Sequence, residues 1–199
     1  HRLGKELIVE SRTEQLTDEK LAWASKLNPS FTVAIGLEAY DDEVLRFHVN
    51  KGFSVASWDR VVECLERHNL RIKTYLMFKP PFMSEADALD HCITWIESVS
   101  EKSDEISINP MNIQRGTVID RLHRHQEYRP PWLWSLVELI QKSHHIVHPN
   151  GGMNGDEDQI SRLIIHPTAG GKIRGSHNCG ACDPEVVAAI ERYAVSGSL

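Results

Sequence analysis

Four short apolar runs, each followed by a stretch with helical periodicity, constrain this chain more than any other feature. Residues 6–10 (ELIVE), 31–36 (FTVAIG), 71–78 (RIKTYLMF) and 104–109 (DEISIN) read as strands. Thr17 caps a helix over 18–27, with Asp18 and Glu19 in its first turn. Asp41 caps a short helix over 42–49 that ends before Gly52. Ser57 opens another, whose Trp58, Val61, Val62 and Leu65 share one face. Pro80 and Pro81 end the third strand, because proline cannot continue a ladder. Ser84 with Asp87 makes a capping box, and Leu89, Cys92, Ile93 and Ile96 then fall at core spacing. Helices over about 116–126 and 132–142 follow the fourth strand, separated by Pro130-Pro131.

Strand then helix, repeated, requires right-handed crossovers and a parallel sheet. The fold class is therefore α/β. Four such units fit part of a β/α barrel or an open doubly wound sheet, and both bind ligands at the carboxyl ends of their strands. Glu10 to Arg12, Glu38, Lys79 and Asn109 stand at such ends and are expected to converge on one mouth.

The pattern changes after residue 143. Residues 1–143 read as the barrel portion and 144–199 as a small Cys/His-containing extension docked on it. "HHIVHPNGGMNGDEDQ" and "HPTAGGKIRGSHNCGACD" are loop-like, and the short apolar run between them, Leu163 to Ile165, reads as a further strand. Asp183 caps a closing helix with Pro184 at its first position, and Val187, Ile190 and Ala194 give that helix a buried side.

The chain has 199 residues and a formal charge of −6, which as a whole is no nucleic-acid binder's footprint. Residues 115–129 are locally basic: Arg115, Arg121, Arg124, Arg129, His123 and His125 face only Asp120 and Glu127. That stretch reads either as a phosphate-meeting face or as a solvated helix. Tyr128, Trp132 and Trp134 beside it either stack on bases or pack at a helix entry. No run reaches the roughly 18 apolar residues of a membrane span. Four cysteines make no secreted disulfide framework, so a cytoplasmic location and no membrane partner are expected. The chain opens without Met and enters a strand at once, so further protein is expected before His1.

Glu38 reads two ways from its position alone, as a salt-bridge partner for a nearby helix or as a site residue. A family likeness favours the second. "GLEAYDDEVLRFHVNKG" and "VESRTEQLTDEKL" resemble successive strand–helix units of radical S-adenosylmethionine enzymes, the group containing the tRNA methylthiotransferases and the elongator catalytic subunit. "KTYLMFKPPFMSEADAL", "ISINPMNIQRGTVIDRL", "YRPPWLWSLVELI" and "HNCGACDPEVVAAI" narrow the resemblance to the radical subunit of archaeosine synthase. The resemblance implies a partial radical-type barrel, S-adenosyl-L-methionine and a [4Fe–4S] cluster. It also implies a tRNA substrate whose 7-deazaguanine carries a lysine adduct, and a partner transferase subunit that makes the adduct. It further implies that Glu10, Arg12, Glu38, Lys51, Asn109 and Asn112 bind the cofactor. Glu38 would meet ribose hydroxyls or the ammonium, Arg12 and Lys51 the carboxylate, and the two asparagines the adenine edge. Lys79 and Arg115 are the substrate-side candidates, although Lys79 reads equally as a solvated strand-end lysine.

One motif of that group is absent here, the CxxxCxxC loop that ligates the cluster. The first recognisable strand matches the barrel's third, so the cluster's ligands are expected upstream of His1. Cys64 and Cys92 fall on helical core faces and read as structural. Cys179 and Cys182, with His177 and His166, have the residue types of a zinc site; a redox pair, two idle thiols, or ligation by His144, His145 and His148 are the other readings. Two alternatives stay open: another tRNA-modifying member of the group, methylthiotransferase or elongator-like, and a cluster-less, zinc-stapled binding module.

Overall fold

A computed structural model describes residues 5–27, 31–148 and 161–197. Its strands are β1 (Leu7–Ser11), β2 (Phe31–Glu38), β3 (Arg71–Phe78), β4 (Glu105–Pro110) and β5 (Arg162–Ile165). Its α-helices are α1 (Asp18–Leu27), α2 (Val55–Arg67), α3 (Glu85–Ser100), α4 (Val118–Arg124), α5 (Leu133–Val147) and α6 (Asp183–Ser196). All five strands are parallel and lie side by side in chain order. That order separates the two architectures. A doubly wound sheet reverses at a switch point, whereas here each crossover steps the same way, as in an arc of a β/α barrel.

Strand periodicity sorts side chains between two faces. On β3, Ile72, Thr74, Leu76 and Phe78 are buried under the helices, while Lys73, Tyr75 and Met77 point to the concave side. The core lies between sheet and helices, built on Trp58, Leu65, Leu76, Ile96, Ile106 and Leu133. Cys64 and Cys92 are both buried in it. The concave face is polar: Lys73 pairs with Glu105 at 2.5 Å, and Arg162 approaches the same carboxylate at 3.7 Å. At the β1 edge, Leu7, Ile8 and Val9 stay 40%, 49% and 38% exposed.

Local differences from the sequence expectation have identifiable causes. Residues 44–49 wind as a π-helix, closed by Asn50 in the left-handed region (φ 54°) with the Lys51 N–H on the Leu45 carbonyl at 2.9 Å. Asp41 does cap this turn, accepting the N–H groups of Glu43 and Val44 at 2.8 and 3.1 Å. The next helix is capped by Ser54, not Ser57; the Ser57 N–H donates to the Ser54 hydroxyl at 3.3 Å. Asp183 lies inside α6, and its buried carboxylate accepts the N–H groups of Asn178 and Gly180, both at 3.1 Å.

The C-terminal extension is tied into the same sheet. Residue 143 falls within α5, β5 hydrogen-bonds β4, and α6 packs on β5 and α5. The glycine- and asparagine-rich stretch over 149–160 lies outside the described residues. The loop after β5 sits at the carboxyl rim and is held by arginines. Ile113 and Arg174 exchange hydrogen bonds at 2.7 and 3.1 Å, and the Arg174 guanidinium reaches Asp120 at 2.7 Å. Arg129 donates to the His177 carbonyl at 2.6 Å.

Asp120 is only 5% exposed and couples this loop to α4. The Gly116 N–H, the Arg174 hydrogen bond and nearby Arg124 hold its carboxyl at about 2, below the ordinary 3.8. A carboxyl depressed on folding stabilises the native state above its unfolded value and loses that contribution as pH falls through the folded one. Urea midpoints should therefore drop between about pH 3.8 and about 2. In Asp120→Asn that part of the pH dependence should flatten.

Candidate functional site

The last turn of β2 breaks the ladder. Gly36 pairs with Tyr75, but Glu38 pairs with Leu76, so Leu37 is an extra residue in a bulge. Glu38 adopts a left-handed backbone (φ 73°), uncommon for a residue with a side chain. The effect is to re-aim its carboxylate over Gly36. A β-carbon at position 36 would stand 2.9 Å from Glu38 Oε1 and 3.0 Å from Lys51 Nζ, so glycine keeps this floor open. Lys51 donates to Glu38 at 2.9 Å, with both side chains largely covered. The ion-pair reading of Glu38 is thus met, with Lys51 as the partner, and the pair stands at the strand mouth.

The neighbouring strand end supplies the second charge pair. The Arg12 guanidinium donates to Glu14 at 2.7 Å and to the Lys51 carbonyl at 3.0 Å. It also stands over the Phe53 ring, 5.7 Å from its centre. Tyr75 donates its hydroxyl to Glu10 at 2.8 Å; burial, then the Glu10 contact, push its pKa up to about 12. Glu10, Arg12, Glu38, Tyr75 and Asn109, with Ser11, Gln15, Ala34 and Gly36, line one cavity of about 740 Å³. Lys51 reaches it through Glu38. Carboxylates and cations alternate around the rim, an arrangement suited to a ligand carrying both an ammonium and a carboxylate.

Other expected residues are placed elsewhere. Asn112 lies beyond the cavity lining, on the β4–α4 loop, accepting from the Gln114 amide. Lys79 is neither a solvated lysine nor a mouth residue. Its backbone is left-handed (φ 58°), and its buried ammonium donates to Glu85 at 2.6 Å and the Arg129 carbonyl at 2.9 Å. Arg115 is exposed, just before the shallow basic groove formed by Arg121, Arg124 and His125. Tyr128 is buried, donating to the Lys79 carbonyl at 2.8 Å, so it packs inward. Trp132 and Trp134 remain exposed, the first beneath the Arg129 guanidinium.

His166, His177, Cys179 and Cys182 do not bring three ligand atoms within 4.8 Å of one another. His177 Nδ1 instead meets the Gly175 carbonyl at 2.8 Å. The exposed Cys179 thiol is drawn below its ordinary pKa by the N–H groups of Ala181 and Cys182. With Cys64 and Cys92 in the core, no three thiols gather among the described residues, so these residues do not fit an iron–sulfur cluster. Sequence reasoning missed Tyr75 and Gln15. Tyr75 was signalled by strand alternation, since it shares the face of Gly36; Gln15 carried no signal.

No protein-family model matches the chain. It is similar to the archaeosine synthase subunit beta of Methanosarcina acetivorans, 32% identical over 192 residues, covering 96% of this chain and 52% of that protein. The subunit of the same name from Thermococcus kodakarensis is 34% identical over 198 residues, covering 98% and 58%. The chain spans about half the length of these curated relatives. Among solved structures, the archaeal Elp3 of Methanocaldococcus infernus with an N-terminal deletion superposes with a TM-score of 0.68 at 15% identity, covering 96% of this chain and 42% of Elp3. That likeness is one of fold. No α-helix among the described residues is long and apolar enough to cross a membrane.

The Tyr75–Glu10 contact gives a site-specific test. In ring-labelled protein, with the signal assigned through Tyr75→Phe, the Tyr75 resonance should titrate only near pH 12. A midpoint near 10 would mean that the hydroxyl is not held as described.

Proposed function

We propose that this chain is the C-terminal portion of a radical S-adenosylmethionine enzyme that modifies archaeal tRNA, acting in archaeosine formation. The observation that carries the proposal is the mixed-charge cavity at the strand ends, in a chain whose named relatives are archaeosine synthase beta subunits. The resemblance described for the sequence motifs points the same way, and the Elp3 likeness supports the barrel.

S-adenosylmethionine fits this cavity by donor set and by space. Glu38 and Glu10 are acceptors for an ammonium or ribose hydroxyls, and Arg12 is a donor for a carboxylate. Lys51 neutralises Glu38 until a cation competes for it. Gly36 leaves the floor free of a side chain, Tyr75 fixes Glu10, and Asn109 offers an amide to a base edge. When bound and reduced by one electron, the cofactor supplies a hydrogen-abstracting radical. The cluster's ligands are assigned to the part of the protein before His1. The substrate is read as the lysine adduct on the 7-deazaguanine of tRNA, with Arg115 on the phosphate side. The name "subunit beta" supports a partner, read here as the transferase that builds the adduct. The location is read as cytoplasmic.

Calorimetry on the complete protein, kept anaerobic, tests the assignment. Glu38→Ala should weaken S-adenosylmethionine binding by about 10- to 100-fold, the worth of a hydrogen bond to a charged group. The cluster's absorbance should stay unchanged. Gly36→Ala should mimic that loss with little change in melting temperature, since its β-carbon meets only the mobile ends of Glu38 and Lys51. Wild-type affinity in both variants would remove the cofactor from this cavity.

A further inference from the structure

Between α1 and α2, three metal-ligating side chains meet. Asp18 opens α1, while Cys64 and His68 lie one turn apart at the end of α2. The Cys64 thiol donates to Asp18 Oδ1 at 3.1 Å, and His68 Nε2 lies 3.1 Å from the same oxygen. The sulfur, the nitrogen and a carboxylate oxygen all fall within 4.8 Å of one another, the one such grouping among the described residues. A tetrahedral zinc ion, with bonds of about 2.0–2.3 Å, sets its ligand atoms roughly 3.5 Å apart. Two of the present spacings are 3.1 Å and all are within 4.8 Å, so small side-chain adjustments would admit the ion.

We infer that Asp18, Cys64 and His68 form a binding site for a thiophilic divalent cation, zinc by preference, that clips α1 to α2. The ligand set is mixed thiolate, imidazole and carboxylate, a combination that favours zinc over calcium or magnesium. Each helix contributes, so the ion joins two elements that otherwise share few contacts. Binding releases one proton: the Cys64 thiol loses its hydrogen to solvent, the sulfur bonds the metal, and the Asp18 oxygen exchanges a hydrogen bond for a metal bond. Arg67, 3.3 Å from Asp18 and well exposed, competes for the carboxylate and must swing aside.

Cobalt(II) is the probe, because its bond to a thiolate gives a near-ultraviolet charge-transfer band. The titration uses the whole chain in a Cys179→Ser/Cys182→Ser background, which removes the rim thiols. One equivalent should produce the band, Cys64→Ser should abolish it, and zinc should displace it. Arg67→Ala should lower the cobalt Kd, which simple helix packing by Asp18 does not predict. His68→Gln, at a partly exposed position, should weaken binding and keeps the test available if Cys64→Ser fails to fold. No band, or a band that survives Cys64→Ser, would overturn the site.

Discussion

Parallel strands cannot be joined by tight turns, and this single constraint organises the molecule. Each of the five strands must return through a crossover, and because the strands lie in chain order the helices collect on one face. Every strand then points its carboxyl end, and the loop after it, toward the same rim. Residues far apart in sequence, from Glu10 on β1 to Asn109 on β4, line one cavity for that reason. The opposite face is left to polar side chains, and there the Lys73–Glu105 pair replaces a second apolar core.

The rim joins a small apolar cluster, Ile113, Ile119 and Tyr128, to a set of directional polar contacts. Arg174 and Arg129 reach backbone carbonyls on other segments, and buried Asp120 and Asp183 gather N–H groups. Such contacts are directional, so they fix loop positions more sharply than contact between apolar surfaces does. Lys79 belongs to this scaffolding. Its ion pair with Glu85 and its bond to the Arg129 carbonyl hold the turn after β3 against the entry to α5.

The strands were legible because their apolar runs have sharp ends, and all five fell within one or two residues of expectation. β5 has only four residues and sits between loop-like stretches, so its membership of the main sheet was not visible locally. Glu38 and Arg12 were found because strand ends are where a parallel sheet exposes polar groups. Lys79 differs although it too occupies a strand end: its ammonium is buried against Glu85 and the Arg129 carbonyl. Which way a strand-end side chain turns is decided by a bulge or a positive φ, and periodicity is blind to both. The zinc reading of the tail failed to gather its ligands because a CxxC gives spacing along the chain, whereas the placement of the histidines depends on the path of a loop.

The left-handed backbone at Glu38 sets backbone strain against what its carboxylate holds, the Lys51 ammonium. A side chain in that region carries strain of order 1 kcal/mol or more, and glycine carries almost none. The fold alone therefore favours a glycine at this position, and only what the carboxylate holds argues for glutamate. A library of variants selected for heat resistance will drift toward Glu38→Gly and lose the site as it gains in melting temperature. Were the mouth a ligand site, as proposed, a library selected for ligand capture would keep the strained residue, and comparing the two populations would separate what the barrel needs from what its mouth needs.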